Sequence, residues 1–246
     1  IAKPGIPWIA VPTTAGAGAE VTKNAVLSDP SRNIKKSIRS DSFFANVVIS
    51  DPELTLSCPP RVTTESGMDA LAQAIESYTS LDANPMTDGL AFEAARLLLG
   101  NLTTAWRSPN NLEARSAVAL GSLLAGVALA NARLGAIHGL AHPIGIRWNI
   151  PHGRICAILL SPVIRFNQDA ATKKYKRLGS LVRGSITRQI VAMREEFKIP
   201  SNLEHLNLSE EDIDWIVQES LPSGSLARNP RPVGADDLRE ILHTII

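Results

Sequence analysis

Residues 135–153 read Gly-Ala-Ile-His-Gly-Leu-Ala-His-Pro-Ile-Gly-Ile-Arg-Trp-Asn-Ile-Pro-His-Gly. Three of the chain's five histidines fall in this stretch, at His138, His142 and His152. His138 and His142 are four residues apart, so one helical turn sets both rings on one face. Pro143 follows, and the chain is expected to change direction soon after it. Ile150-Pro151-His152-Gly153 then reads as a turn that returns a third imidazole to the first two. Imidazole is the commonest metal ligand and a ready proton shuttle. A lone histidine is more often a helix cap or a satisfied core residue. Three so close together, flanked by glycines that permit close backbone approach, point to a metal site instead. The His-Glu-x-x-His pattern of zinc proteases is absent, because Gly139 follows His138 and no general-base glutamate is present.

Upstream, residues 67–78 read Gly-Met-Asp-Ala-Leu-Ala-Gln-Ala-Ile-Glu-Ser-Tyr. Met68, Leu71, Ile75 and Tyr78 recur at helical spacing, and Asp69, Gln73 and Glu76 line the neighbouring stripe. Asp69 and Gln73 are thus stacked one turn apart. Taken alone, Asp69 reads as a surface acid near a helix start.

Gly-x-x-His-x-x-x-His-Pro-x-Gly followed by Pro-His-Gly resembles the signature of the iron-dependent (group III) alcohol dehydrogenases. The segment at 67–78 resembles the second half of that family's metal site, which carries Asp and, four residues on, His. Here Asp69 is kept and Gln73 stands at the second position. The resemblance implies a dehydroquinate synthase-like fold, mainly α with a short N-terminal β portion. Residues 1–57 would be the end of an α/β nucleotide-binding domain, residues 58–246 the all-helical metal-binding domain, and the active site the cleft between them. It implies Fe2+ or Zn2+ held by Asp69, His138 and His152, with Gln73 as a weaker fourth ligand, and His142 as the proton relay. Related zinc-dependent glycerol dehydrogenases are similar in using one Asp and two His. NAD or NADP would be the cosubstrate, a small alcohol or aldehyde the substrate, and a homodimer the assembly.

The same resemblance extends to the chain's start. Thr13-Thr14-Ala15-Gly16-Ala17-Gly18-Ala19-Glu20 follows a short apolar run, and small residues there let backbone N–H groups approach an anion. It is similar to the family's Thr-Thr-x-Gly-Thr-Gly-Ser-Glu segment along the cofactor, with Ala17 and Ala19 replacing two hydroxyl residues. This implies cofactor contacts for Thr13, Thr14 and Gly16, and, nearby, for Asn24 and Lys35. On its own Lys35 reads as a solvated lysine beside Lys36. The family's Gly-Gly-Gly-Ser phosphate loop does not occur in these 246 residues, so the resemblance covers the later part of the family pattern.

The bulk numbers agree with such an enzyme. The 246 residues are 44% hydrophobic and 20% charged, enough for a sizeable core. A net charge of +1 gives no single-sign field, so neither nucleic acid nor an acidic membrane is expected as a partner. The apolar run Ala117–Ala130 is broken by Gly121, Ser122 and Gly126 and falls short of the ~20 residues of a membrane span. Two cysteines, Cys58 and Cys156, make no disulfide framework; they fit a reducing, cytoplasmic setting and read as buried small hydrophobes.

Element by element, a buried strand is expected at 8–12, a hairpin at 24–29 and 34–38 turning at Asp29-Pro30, and a third strand at 46–50. Pro59-Pro60 marks the switch to helices. These are expected at 61–80, 85–107, 112–134 (the buried central helix), 154–167 with Pro162 kinking it, 169–182, 185–197, 209–220 and 235–244. The charge run Lys173–Arg177 reads as a solvated helix face. Two other function classes fit the same residues: a metal-dependent hydrolase using water, and a non-catalytic helical fragment.

Overall fold

The computed structural model describes residues 5–29 and 34–246, with the backbone alone at 28–29 and 34–37. Strands lie near the chain's start. β1 (Ile9–Ala10) and β4 (Val47–Val48) pair in parallel, Ile9 opposite Val47. Between them β2 (Asn24–Asp29) and β3 (Ile34–Arg39) form the expected antiparallel hairpin, Asn24 opposite Arg39. The expected turn at Asp29-Pro30 runs into residues outside those described. β1 is not the buried strand its apolar run suggested. Ala10 is buried, but Ile9 is 59% exposed, and Trp8 and Val11 are exposed as well. A two-stranded pair this short offers no second layer to cover them.

Helices then take over. α1 (Pro60–Thr79) starts with Pro60 at its first position, where a missing N–H costs nothing. α2 (Pro85–Arg107) is capped by Asn84, whose side chain accepts from the Met86 and Thr87 N–H groups while Thr87 accepts from Asn84 N–H. α3 (Leu112–Ala132) is capped by Asn111. α4 (Ala136–Arg147) and α5 (His152–Asn167) carry the histidines. α6 (Thr172–Gly179), α7 (Ile186–Glu196), α8 (Glu210–Ser220) and α9 (Ala235–His243) complete the chain.

α1 is the axis of the core. Every residue from Gly67 to Thr79 is buried. α1 packs against α2 and α3 and against α5, so its polar stripe is as enclosed as its apolar one. α3 is less central than expected, since Leu120 is 46% exposed. At 21 residues with a mean hydropathy of 1.4 over its most apolar window, it meets the length and composition of a membrane span, contrary to the shorter run read from the sequence. Half of that window is buried, and α1 and α2 supply its packing, the situation of a core helix. The run Lys173–Arg177 is not uniformly solvated: Tyr175 is buried, and Lys174 Nζ donates to Tyr78 O at 2.6 Å and to Asp88 at 2.7 Å, joining α1, α2 and α6.

Two details bear on the histidines. α4 carries Pro143 in its interior and ends at Arg147, so the change of direction expected soon after the proline follows that residue. The proline removes one N–H, and enclosure of the surrounding turns offsets that loss. The link Trp148–Pro151 then reverses the chain, with Asn149 in the left-handed region at φ 51. α5 begins at His152 itself rather than at Arg154, because Pro151 O accepts from the N–H groups of Arg154 and Ile155. It runs through Pro162.

Candidate metal centre

Three helices converge on one point. α1 brings Asp69, α4 brings His138, and the first two turns of α5 bring His152 and Cys156. The start of α5 is seated on α1 by a glycine and an ion pair. A Cβ at Gly153 would stand 2.1 Å from Glu65 O, so only glycine permits this approach. Arg154 Nε donates to Glu65 Oε1 at 2.9 Å. Glu65 lies one turn before Asp69, which brings His152 opposite it.

His138 Nε2 lies 3.2 Å from Asp69 Oδ1, and His152 Nε2 lies 3.7 Å from the same oxygen. Cys156 Sγ is 3.6 Å from His152 Nε2 and 4.0 Å from His138 Nε2. One donor atom from each of the four residues falls within 4.8 Å of the others. The four separations just given, 3.2, 3.7, 3.6 and 4.0 Å, are near those of donors around one ion at bond lengths of about 2.0–2.3 Å.

The other face of His138 is fixed. Its Nδ1–H donates to Glu76 Oε2 at 2.6 Å, and Glu76 Oε1 accepts from Ile137 N–H at 2.7 Å. Glu76 thus satisfies an orphan donor at the start of α4 and accepts the Nδ1 proton of His138 in a hydrogen bond, so that Nε2 is the nitrogen facing Asp69. Asn229 Oδ1 accepts from Ala136 N–H at 3.2 Å and from Asn167 Nδ2 at 2.9 Å, anchoring the same helix start to the end of α5.

The ionisable groups of the cluster act on one another. Burial alone raises the Asp69 pKa, but the bond from His138 and the charges of His152 and His138 outweigh it and lower the value. Burial opposes a charge on His138, yet Cys156, Glu76 and Asp69 together hold its pKa well above the ordinary value. Burial pushes the Cys156 thiol up to about 12, with His138 pulling the other way. Gln73 Nε2 donates to Asp69 Oδ2 at 3.3 Å, while its Oε1 is buried without a hydrogen-bond partner. An unpaired buried acceptor beside an imidazole–carboxylate cluster is a feature that a bound cation or its water relieves. The residues present therefore fit a divalent ion.

His142 stacks on His152, with ring centroids 5.0 Å apart and planes at 14°, and lies 6.5 Å from the His138 ring. Of the residues implied in cofactor binding, Thr14 and Asn24 line a cavity of about 780 Å³ beside β1. Asn24 Oδ1 accepts from Arg39 Nε at 2.9 Å, and Thr13 O accepts from Cys58 Sγ at 3.2 Å. Gly16 lies against Ser66 of α1, where a Cβ would meet Ser66 Cβ at 2.7 Å. The Lys35 side chain lies outside the described part of the structure.

Two residues of the site were not assigned from sequence. Glu76, seven residues after Asp69, shares its helix face. Cys156, read as a small core hydrophobe, stands one turn after His152 with its sulfur on the cluster; the i,i+4 spacing was the available signal.

Known proteins are similar to this chain over nearly its whole length. The family description "Fe-containing alcohol dehydrogenase family, C-terminal" matches residues 63–246, and "Iron-containing alcohol dehydrogenase" matches residues 1–52. The chain is 35% identical to the 1-propanol dehydrogenase PduQ of Salmonella typhimurium, over 97% of this chain and 69% of that protein. It superposes on a crystal structure of 1,3-propanediol oxidoreductase with a TM-score of 0.94 at 35% identity, covering 99% of this chain and 67% of that one. A sulfoacetaldehyde reductase from Bifidobacterium kashiwanohense, solved with NAD+, gives 0.92 at 35% identity, covering 98% and 65%. The chain thus spans about two thirds of the length of these relatives. It belongs to the iron-containing alcohol dehydrogenase family and shares the dehydroquinate synthase-like fold, its helices forming the family's C-terminal part.

Proposed function

We propose that this chain supplies the metal centre of an oxidoreductase that interconverts a small alcohol and its aldehyde or ketone with NAD or NADP. The observation that carries the reading is the meeting of Asp69, His138 and His152 at one point, with Glu76 holding His138 from behind. Asp69, His138 and His152 would hold a divalent ion there, which would supply Lewis acidity and lower the pKa of the alcohol hydroxyl. In oxidation the carbon gives a hydride to the nicotinamide and the hydroxyl loses a proton, leaving carbonyl, NAD(P)H and H+. His142, stacked on His152, takes that proton outward. The loop carrying Thr13, Thr14 and Gly16 lies against α1 at Ser66, one turn before Asp69, which supports a cofactor role for it beside the metal site. Relatives named for 1-propanol, 1,3-propanediol, methanol and long-chain alcohols support an alcohol as the substrate class. Zn2+ and Fe2+ are both compatible with the Asp and His donors. The free cysteines support a reducing, cytoplasmic setting, and a homodimer is the proposed assembly, to be checked by sedimentation.

Asp69→Ala and His152→Ala test the reading. Each is expected to lose bound metal, by elemental analysis, together with turnover of propanol-sized alcohols. Full turnover in a metal-free variant would sink the mechanism.

A further inference from the structure

We propose that Cys156 is itself a metal ligand, so that the chain holds its ion through one oxygen, two nitrogens and one sulfur, a set suited to Zn2+ over Fe2+. The inference deepens the metal reading above and rests on it. Its first support is distance. A zinc tetrahedron with Zn–N and Zn–O near 2.0 Å and Zn–S near 2.3 Å has edges of about 3.3 Å between the light donors and about 3.6 Å from sulfur. The corresponding separations here are 3.2 and 3.7 Å from Asp69 to the two imidazoles, and 3.6 and 4.0 Å from Cys156 Sγ to them. The sulfur's separations from the two imidazoles are thus within about half an ångström of tetrahedral edges.

The second support is Gln73. Its Nε2 faces Asp69 Oδ2, and an amide NH2 offers no lone pair to an ion. The reversed amide would set two acceptor oxygens against each other. Gln73 thus binds the carboxylate through its nitrogen, its unpartnered Oε1 is left to a water on the ion, and the fourth corner goes to the sulfur one helical turn beyond His152.

Ligation exchanges the S–H bond for an S–metal bond and releases the proton to solvent, with no electron transferred. Thiolate softness is the usual discriminator toward zinc among the divalent ions considered. With four corners held by the protein, an alcohol oxygen would join as a fifth donor, and the two anionic donors, Asp69 and Cys156, cancel the ion's double charge, so its pull on that oxygen is weaker than with neutral donors alone.

X-ray absorption of the Zn2+-loaded chain and ultraviolet absorption of the Co2+-loaded chain test this. The expected result is one sulfur at about 2.3 Å and a thiolate-to-cobalt charge-transfer band. In Cys156→Ala and Cys156→Ser the band should vanish and the metal Kd should rise more than about tenfold, the scale that even outer partners reach. One equivalent of bound metal with no sulfur signal overturns the Cys156 assignment and leaves the Asp69/His138/His152 site standing. Failure of the chain to bind any metal overturns both. The wild-type spectra decide even if both variants fail to fold.

Discussion

Glu76 lies behind His138 and controls its donor atom. Its two oxygens are both committed, one to Ile137 N–H and one to His138 Nδ1. Glu76→Gln keeps the volume but sets an NH2 donor against one of these donors, so one contact turns repulsive. Metal Kd should rise by roughly 10–100-fold, measured by competition with a chelator, with little change in helix content. An unchanged Kd would mean that burial alone orients the ring. The residues that declared themselves in the sequence were those whose type is rarely used otherwise: clustered histidines, and an aspartate in a matching segment. Glu76 and Cys156 were overlooked because a helix carboxylate normally faces water and a lone cysteine normally fills a core. What separates them from that norm is enclosure by α4 and α5, and enclosure is a property of packing between distant segments.

The helices were legible where caps announce them. Asn84-Pro85, Asn111 and Ser209 stand at or beside the starts of α2, α3 and α8. The strands were less so, since β1 and β4 shrink to two residues each and depend on neighbours the pattern does not name. Contacts between elements give two predictions. Gly153→Ala places a methyl on Glu65 O and forces α5 off α1. Overpacking of this kind costs about 1–3 kcal/mol, and thermal melting should show it along with weakened metal binding through His152. An unshifted melting temperature would show that the helices adjust freely. Asp212, in the first turn of α8, accepts from Ser209 N–H and Oγ–H and pairs with Arg147 at the end of α4, and these hold its pKa below the ordinary 3.8. A lowered folded value means that its stabilising contribution is complete above 3.8 and disappears as pH falls through the folded value. Asp212→Asn should therefore melt below wild type at neutral pH, and the gap should close under acid. A gap that stays constant with pH would refute the assignment.

Across the whole molecule the metal site joins α1, α4 and α5, so an ion held there binds the folded chain and not the unfolded one. At one hundred times Kd such linkage adds about 2.7 kcal/mol, or roughly 5–10 °C in melting temperature for a chain this size. Zn2+ should produce that rise, a chelator should reverse it, and Asp69→Ala should show none. An equal rise in Asp69→Ala would place the ion elsewhere. The short link Trp148–Pro151 has a further consequence, for changes of gene length. One inserted residue in a helix turns everything beyond it by about 100° and shifts it by about 1.5 Å. With Asn149 already reversing the chain in a four-residue link, that passage has no slack to absorb such a slip. A codon gained or lost there would part His152 and Cys156 from His138 in one step. The segment 180–185, between α6 and α7, holds none of the four donors, and its Arg183, Gly184 and Ser185 are exposed. Variation in length is therefore expected to collect in that outer loop and to be excluded from the link at 148–151.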